Sequence, residues 1–343
     1  MRVLAADIGG TKTAVAIATI GAHRIVFERY RRYPSGAHGS LEEILQDFLA
    51  RERNVPAVAG LGVAGPVVAG RAKVTKLPWT IDAKRISRVL GIPRVRLEND
   101  FVAAAYGVPY LTSRQLVTLA PGEPEPGGTM ALIGAGTGLG QAVLWRSAGR
   151  VQALASQGGH ADFGPRNTRE DRLVRFVRRR FGRVSRDRLL SGEGLAHMYD
   201  FLAKDGAAPE SSAVSRAFET EDRGAVIGRY GLAGRDRLST EALRMFVEIY
   251  GSEAGNLALQ YRATGGVYVG GGIAGRILPA LRAPRFMRAF ADKPPMEDLL
   301  ARIPVRVVRE PRLGLIGAAA SGYWMAMEIT RFSSKTSTRL SLG

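Results

Sequence analysis

Two glycine-rich stretches carry the residue types most able to do chemistry. Asp7-Ile8-Gly9-Gly10-Thr11 stands between two apolar runs, and Gly136-Thr137-Gly138-Leu139-Gly140 stands between two more. Neither stretch opens a helical pattern, so each reads as a hairpin with bare N–H groups at its tip. Glycine lets the backbone come close to a ligand, and clustered N–H groups favour anions, so such a tip can hold a phosphate. The hydroxyls of Thr11 and Thr137 would add donors. Asp7 beside the first tip is placed to hold a magnesium ion through water; the simpler reading is a turn residue bonded to its own backbone. Neither stretch is a Walker A loop or a dinucleotide fingerprint, since both of those need a helix after the glycines. Two tips in one chain suggest one nucleotide clamped between two related halves.

Asn99-Asp100 follows a short apolar run and precedes a helical pattern. A carboxylate at the C-terminal end of a strand is where α/β proteins place reactive groups. Asp100 is also well suited to cap the helix that follows. A base there, with amide and metal clamps elsewhere, would meet the needs of phosphoryl transfer to an alcohol. Gln157-Gly158-Gly159-His160 forms another polar turn, with His160 either ligand-facing or structural. Gly270-Gly271-Gly272 ends an apolar strand and opens a helix, either as a nucleotide seat or as a tight joint.

The elements that must carry these residues are legible in the pattern. Residues 1–30 read as a three-strand meander, with runs at Val3 to Ala6, Thr13 to Ile20 and Arg24 to Tyr33. Ser40 with Glu43 forms a capping box for a helix to about Arg53. Val58 to Ala64 is a buried strand, Asp82 to Leu90 a helix, Val95 to Leu97 a strand and Phe101 to Gly107 a helix capped by Asp100. Helices are expected at about 169–181, 194–203, 211–220 and 239–263. Strands follow at 267–269 and 304–308, then a long apolar helix from Leu315 to Ile329. Ser333 to Gly343 is polar and expected to be loose.

Composition narrows the class. The chain has 343 residues, 45% of them hydrophobic, which supports two domains with sizeable cores. It has no cysteine, which excludes disulfides, thiolate zinc sites and a cysteine nucleophile. It has no signal-like start and no run long enough to span a bilayer, so a cytoplasmic protein without a membrane partner is expected. The net charge of +18 would suit an anionic partner. Arginine outnumbers lysine throughout, however, and the densest stretch, Arg166 to Arg188, has helical spacing and reads as a solvated face. Aromatic residues are not interleaved as a single-strand binding surface requires, so nucleic acid is not the expected partner.

Taken in order, the segments Asp7 to Thr11, Leu97-Glu98-Asn99-Asp100-Phe101, Gly136 to Gly140, Gly158 to Phe163, Leu190-Ser191-Gly192, Gly265 to Ile273 and Gly314 to Ala319 resemble the bacterial glucokinases. The likeness is to the subgroup lacking the cysteine-rich zinc motif of the repressor/open-reading-frame/kinase (ROK) family. It runs from residue 1 to about 325. The resemblance implies an α/β, actin-like ATPase (ribonuclease H-like) fold of two domains around a cleft. Residues 1–110 with about 315–343 would form the small domain, and 111–314 the large one with helical insertions. It implies ATP and Mg2+, phosphorylation of glucose at its 6-hydroxyl, and a homodimer. By position, Asp100 would be the base and Asn99, Gln157, His160 and Asp187 would bind the sugar. Ala6, Asp7, Ile8, Gly9, Gly10, Thr11, Gly136, Thr137 and Gly138 would surround the phosphates and metal, with Asp7 on the metal through water. Gly270, Gly271 and Gly272 would lie against the adenosine.

Two residues depart from the family pattern. Gln157 stands where Glu is usual, and Asp187 stands where Glu is usual. Gln keeps an acceptor but loses the charge, a cost of about 1–2 kcal/mol in a hydrogen bond to a sugar hydroxyl. Asp187 is one methylene short, and small misplacements of a positioning group are expensive. Lys76 also replaces a common Asn. The departures keep open a kinase for another hexose, or a low-activity sugar-sensing paralogue.

Overall fold

The computed structural model describes residues 1–340 except Ala22, Thr75 and Ala148, with side chains described up to Ile329 in the last helix. The chain forms two compact units. The first comprises Met1–Thr112, Leu144–Ala155 and the segment from Glu310 onward; the second comprises Ser113–Val143 and Ser156–Arg309.

In the first unit, β1 (Arg2–Ile8), β2 (Lys12–Ile20) and β3 (Ile25–Pro34) form the expected meander, followed by β4 (Val58–Val63). A small separate sheet of β5 (Val67–Val68), β6 (Arg71–Lys73) and β7 (Thr80–Asp82) intervenes, too short to show a pattern in sequence. β8 (Arg94–Asn99) then completes the main sheet, in the order β3-β2-β1-β4-β8. β1, β4 and β8 run parallel. Successive side chains of β1 point to opposite faces. Leu4, Ala6 and Ile8 join the core with the helix Leu41–Leu49, while Val3 and Ala5 pack with Leu315, Ala318 and Ala319 of the last helix. Ser40 caps Leu41–Leu49 as expected, accepting from Glu43 N.

In the second unit, β9 (Leu116–Ala120), β10 (Met130–Ala135), β11 (Leu139–Ser147), β12 (Arg150–Ala155), β13 (Gly266–Gly270) and β14 (Val305–Val308) form a sheet ordered β12-β11-β10-β13-β14-β9. Of these, β12 and β11 from Leu144 onward are counted with the first unit. β10, β13 and β14 are parallel. The expected helices are Thr168–Phe181, Gly192–Lys204, Ser212–Phe218 and Arg237–Gln260. A further helix, Arg223–Ala233, escapes the pattern because Gly224, Gly228 and Gly231 dilute it. The last helix runs from Leu313 to Leu340, through most of the segment expected to be loose; Ser341–Gly343 lie outside the described residues. No described helix is long and apolar enough to cross a membrane.

The last helix reaches the sheet and the helix Asp100–Gly107 only because glycines let backbone meet backbone. A Cβ on Gly317 would lie 1.9 Å from Ala103 O. Overpacking of this kind typically costs about 1–3 kcal/mol. Gly317→Ala is therefore expected to lower the thermal unfolding midpoint of the first unit, read by calorimetry; an unchanged melt would show that the contact has slack.

Candidate active site

The candidate residues of the first unit gather at the carboxyl ends of its parallel strands. The register places Asp7 opposite Gly62 and Gly62 opposite Glu98, so the ends of β1, β4 and β8 align. The first hairpin tip is locked from below. Gly9 N donates to Lys12 O at 3.0 Å, Ser35 N donates to Thr11 O at 3.0 Å and Ser35 Oγ donates to Gly9 O at 2.8 Å. Among the described residues, the amides of Gly10 and Thr11 make no hydrogen bond, which leaves them for a ligand. Ala6 and Ile8 are fully buried, so only their backbone can serve a ligand.

Asn99, not Asp100, caps the helix Asp100–Gly107. Its Oδ1 accepts from Phe101 N at 3.0 Å and from Val102 N at 3.4 Å, and its Nδ2 donates to Gly65 O at 3.1 Å. The sequence expectation is thus corrected by one residue: Asn99 has the non-helical backbone of a cap, and Asp100 is the first helical residue. Asp100 Oδ1 also accepts from Phe101 N, at 2.8 Å. Burial raises the Asp100 carboxyl above its ordinary range, against the pull of the Phe101 N–H and the Asn99 side chain. Asp7 is raised to about 6, first by burial and then by the negative charge of Asp100. No cationic side chain is among the groups that set either value. Gly314, at the start of the last helix, presses on the Asp7 carboxylate: a Cβ there would lie 2.6 Å from Oδ2.

The second unit assembles the other candidates around β11. The second hairpin turns at Gly136, whose N donates to Gly138 O at 2.8 Å and whose O accepts from Gly192 N at 3.0 Å. The amides of Thr137 and Gly138 make no hydrogen bond among the described residues. Asp187, on the short helix Arg186–Leu189, accepts from Leu139 N at 2.7 Å through Oδ1, so it clasps the base of this hairpin. Gly134 of β10 pairs with Gly270 of β13, which brings Gly270–Gly272 beside the hairpin. Gly271 has φ +82°, and a Cβ there would lie 2.5 Å from Ala135 O, so only glycine fits. The fully buried Tyr250 ties the two strand ends, accepting from Ala135 N at 3.1 Å and lying 3.4 Å from Gly270 O.

Gln157 and His160 are exposed at either end of a turn, Gly158–His160, that lies on β11. A Cβ on Gly159 would lie 2.2 Å from Leu139 O, and one on Gly158 would lie 2.1 Å from Gln141 Oε1. The paired glycines are therefore demanded by close packing on the strand. His160 O accepts from Arg183 Nη2 at 2.7 Å. Lys76 is exposed and adopts φ +70°, in a region that favours Asn and Gly. Sequence reasoning missed Ser35, Gln141, Tyr250 and Glu253. None has a motif, and each acts through a contact distant in sequence.

These strand-end carboxylates and glycine hairpins on two α/β units define a protein of the actin-like ATPase fold. The sequence profile of the Glucokinase family matches residues 4–323, and the chain belongs to that family. A glucokinase of Nostoc sp. is 41% identical over 333 residues, covering 92% of this chain and 97% of the relative. One from Synechocystis sp. is 38% identical over 341 residues, covering 92% and 96%. The crystal structure of a glucokinase from an Antarctic psychrotroph is 32% identical, covers 94% of this chain and 98% of its own, and superposes with a TM-score of 0.83. A ROK family glucokinase from Streptomyces griseus, solved with glucose and AMPPNP, shares the fold at 22% identity and a TM-score of 0.60.

The raised Asp7 makes a pH-dependent stability prediction. Its folded value of about 6 lies above the ordinary 3.8, so the ionised group opposes folding. That opposition is absent below about pH 4, grows as pH rises, and is complete above about pH 6. At full strength it is on the order of 1–3 kcal/mol. In magnesium-free buffer, Asp7→Asn is expected to unfold at a higher temperature than the parent at pH 8 and at the same temperature at pH 4. Equal melting at both values would mean that Asp7 is not held in this state.

Proposed function

We propose that this chain is a glucokinase, transferring the γ-phosphoryl group of ATP to the 6-hydroxyl of glucose. The observation that carries this reading is the partly buried Asp100 carboxylate just past the end of β8, raised by burial and itself raising Asp7, with no cation among the groups that set either value. Membership of the glucokinase family supports the choice of acceptor.

In this reading Asp100 takes the proton of the 6-hydroxyl as its oxygen attacks the γ-phosphorus. The bond from that phosphorus to the bridging oxygen breaks, and ADP leaves with the charge. A carboxylate whose affinity for a proton is raised by burial is a better base than one in water. Asn99 uses Oδ1 on the helix N-terminus, so it meets a sugar hydroxyl with its amide nitrogen. Gln157, His160 and Asp187 bind further hydroxyls. The unbonded amides of Gly10, Thr11, Thr137 and Gly138 bind phosphate oxygens, and Gly270–Gly272 lies against the adenosine.

The first unit suits a magnesium ion. Two carboxylates without a basic neighbour attract a cation, and magnesium keeps most of its water, so it needs few protein ligands. Asp7 would hold such an ion through water. When bound, the ion would neutralise charge on the phosphates. A homodimer and a cytoplasmic location complete the proposal; light scattering of the purified protein tests the first.

A second reading rests on Gln157 and Asp187. Gln157 is neutral, and one Asp187 oxygen is engaged by Leu139 N, which leaves a weaker grip on the sugar. Another hexose, or sensing with little turnover, would follow. A coupled assay of ADP release against a panel of hexoses decides: turnover on none, with sugar still bound, favours the sensor.

Asp100→Asn is expected to lower kcat by roughly 10²- to 10⁴-fold, the range of a positioned base, with the glucose KM little changed. Retention of more than a tenth of the parent rate would remove Asp100 from that role. Restoring the family carboxylate with Gln157→Glu is expected to lower the glucose KM about 5- to 30-fold, the equivalent of about 1–2 kcal/mol. A KM that does not fall would show that the grip was never weak at this position.

A further inference from the structure

Glu253, on the helix Arg237–Gln260, is only 4% exposed. Its Oε1 accepts from Gln141 Nε2 at 2.7 Å and from Arg186 Nη1 at 2.8 Å, and its Oε2 accepts from Asn256 Nδ2 at 3.0 Å. Gln141 is itself buried and presents Oε1 to Gly158, one residue from Gln157 and two from His160. Arg186 precedes Asp187, and its backbone N donates to Ala161 O, one residue past His160, at 3.0 Å. One carboxylate thus reaches the supports of all three sugar-side candidates of the second unit.

We propose that Glu253 is a positioning residue for sugar recognition: through Gln141 it sets the turn that bears Gln157 and His160, and through Arg186 it sets Asp187. This rests on the reading that those three residues bind the sugar. Stability alone does not account for a buried ion pair, because well-packed apolar residues usually do as well or better. Packing does not fix Arg186 either. Arg186 and Glu253 both line a cavity of about 210 Å³, so the guanidinium has room to swing once its partner is lost. The tie from Glu253 to the second hairpin runs one contact further, through Asp187 to Leu139 N at its base, while the amide of Gly136 is held by the hairpin itself and its carbonyl by Gly192.

The test is steady-state kinetics on Glu253→Gln, on Arg186→Met and on the double variant, with KM measured separately for glucose and ATP, and with melting curves. Glu253→Gln leaves a partly buried guanidinium without its partner and is expected to melt early; the double variant removes both charges and is expected to regain much of the parent's melting temperature. In the double variant the glucose KM is expected to stay raised by roughly 10- to 100-fold, the usual cost of a displaced positioning contact, with the ATP KM within about twofold. A folded double variant with the parent's glucose KM, or one in which both KM values rise together, overturns the proposal. His160→Ala separates the two layers. If it raises the glucose KM while the double variant does not, only the role of Glu253 falls. If it leaves the glucose KM unchanged, the sugar-turn reading falls and the proposal with it.

Discussion

The first unit is organised around a repulsion. Asp7 and Asp100 carry the same charge and both are partly buried; burial raises both, and the charge of Asp100 raises Asp7 further. Neither is relieved by a neighbouring cation. Such an arrangement persists only where the surrounding structure over-determines it, and here it does. Asp7 is fixed by the register of β1 with β4, and Asp100 by β8 and by the Asn99 cap. The last helix then closes against Asp7 at Gly314. The sheet, the cap and the final helix are all recruited to hold two charges where water and distance would otherwise separate them.

The second unit solves a different problem, which is close positioning of its turns on the strands. Its polar turn at Gly159 and its glycine triplet at Gly271 lean on β11 and β10 with backbone contacts too close for a side chain. Leu139 shows how tightly the parts are shared. Its N–H is taken by Asp187 and its carbonyl lies under Gly159. A residue that has no polar side chain is thus a junction between the second glycine hairpin and the polar turn.

Most of the architecture was legible in the sequence because it rests on local signals. The two hairpins have their glycines, Leu41–Leu49 has its Ser40 cap, and the buried strands are plain apolar runs. The helix at Asp100 was legible in extent but not in its cap, because Asn and Asp both cap well and only the backbone angle at Asn99 distinguishes them. Arg223–Ala233 was hidden by glycines that serve packing. In the site, the residues offered to a ligand carry motifs, whereas the residues that hold them in place do not. Ser35, Gln141, Tyr250 and Glu253 act across long stretches of chain, and a single sequence contains no trace of such pairings.

The discontinuity of the first unit has a consequence for synthesis. Val3, Ala5, Ala16 and Val58 emerge early from the ribosome, yet they share a core with Leu315, Ala318, Ala319 and Ala326, which emerge last. The second unit, Ser113–Val143 with Ser156–Arg309, is complete before those residues arrive. The half of the protein made first is therefore the half finished last. Through most of translation it exposes one apolar face of its central sheet, and Asp7 lacks the Gly314 contact until the end.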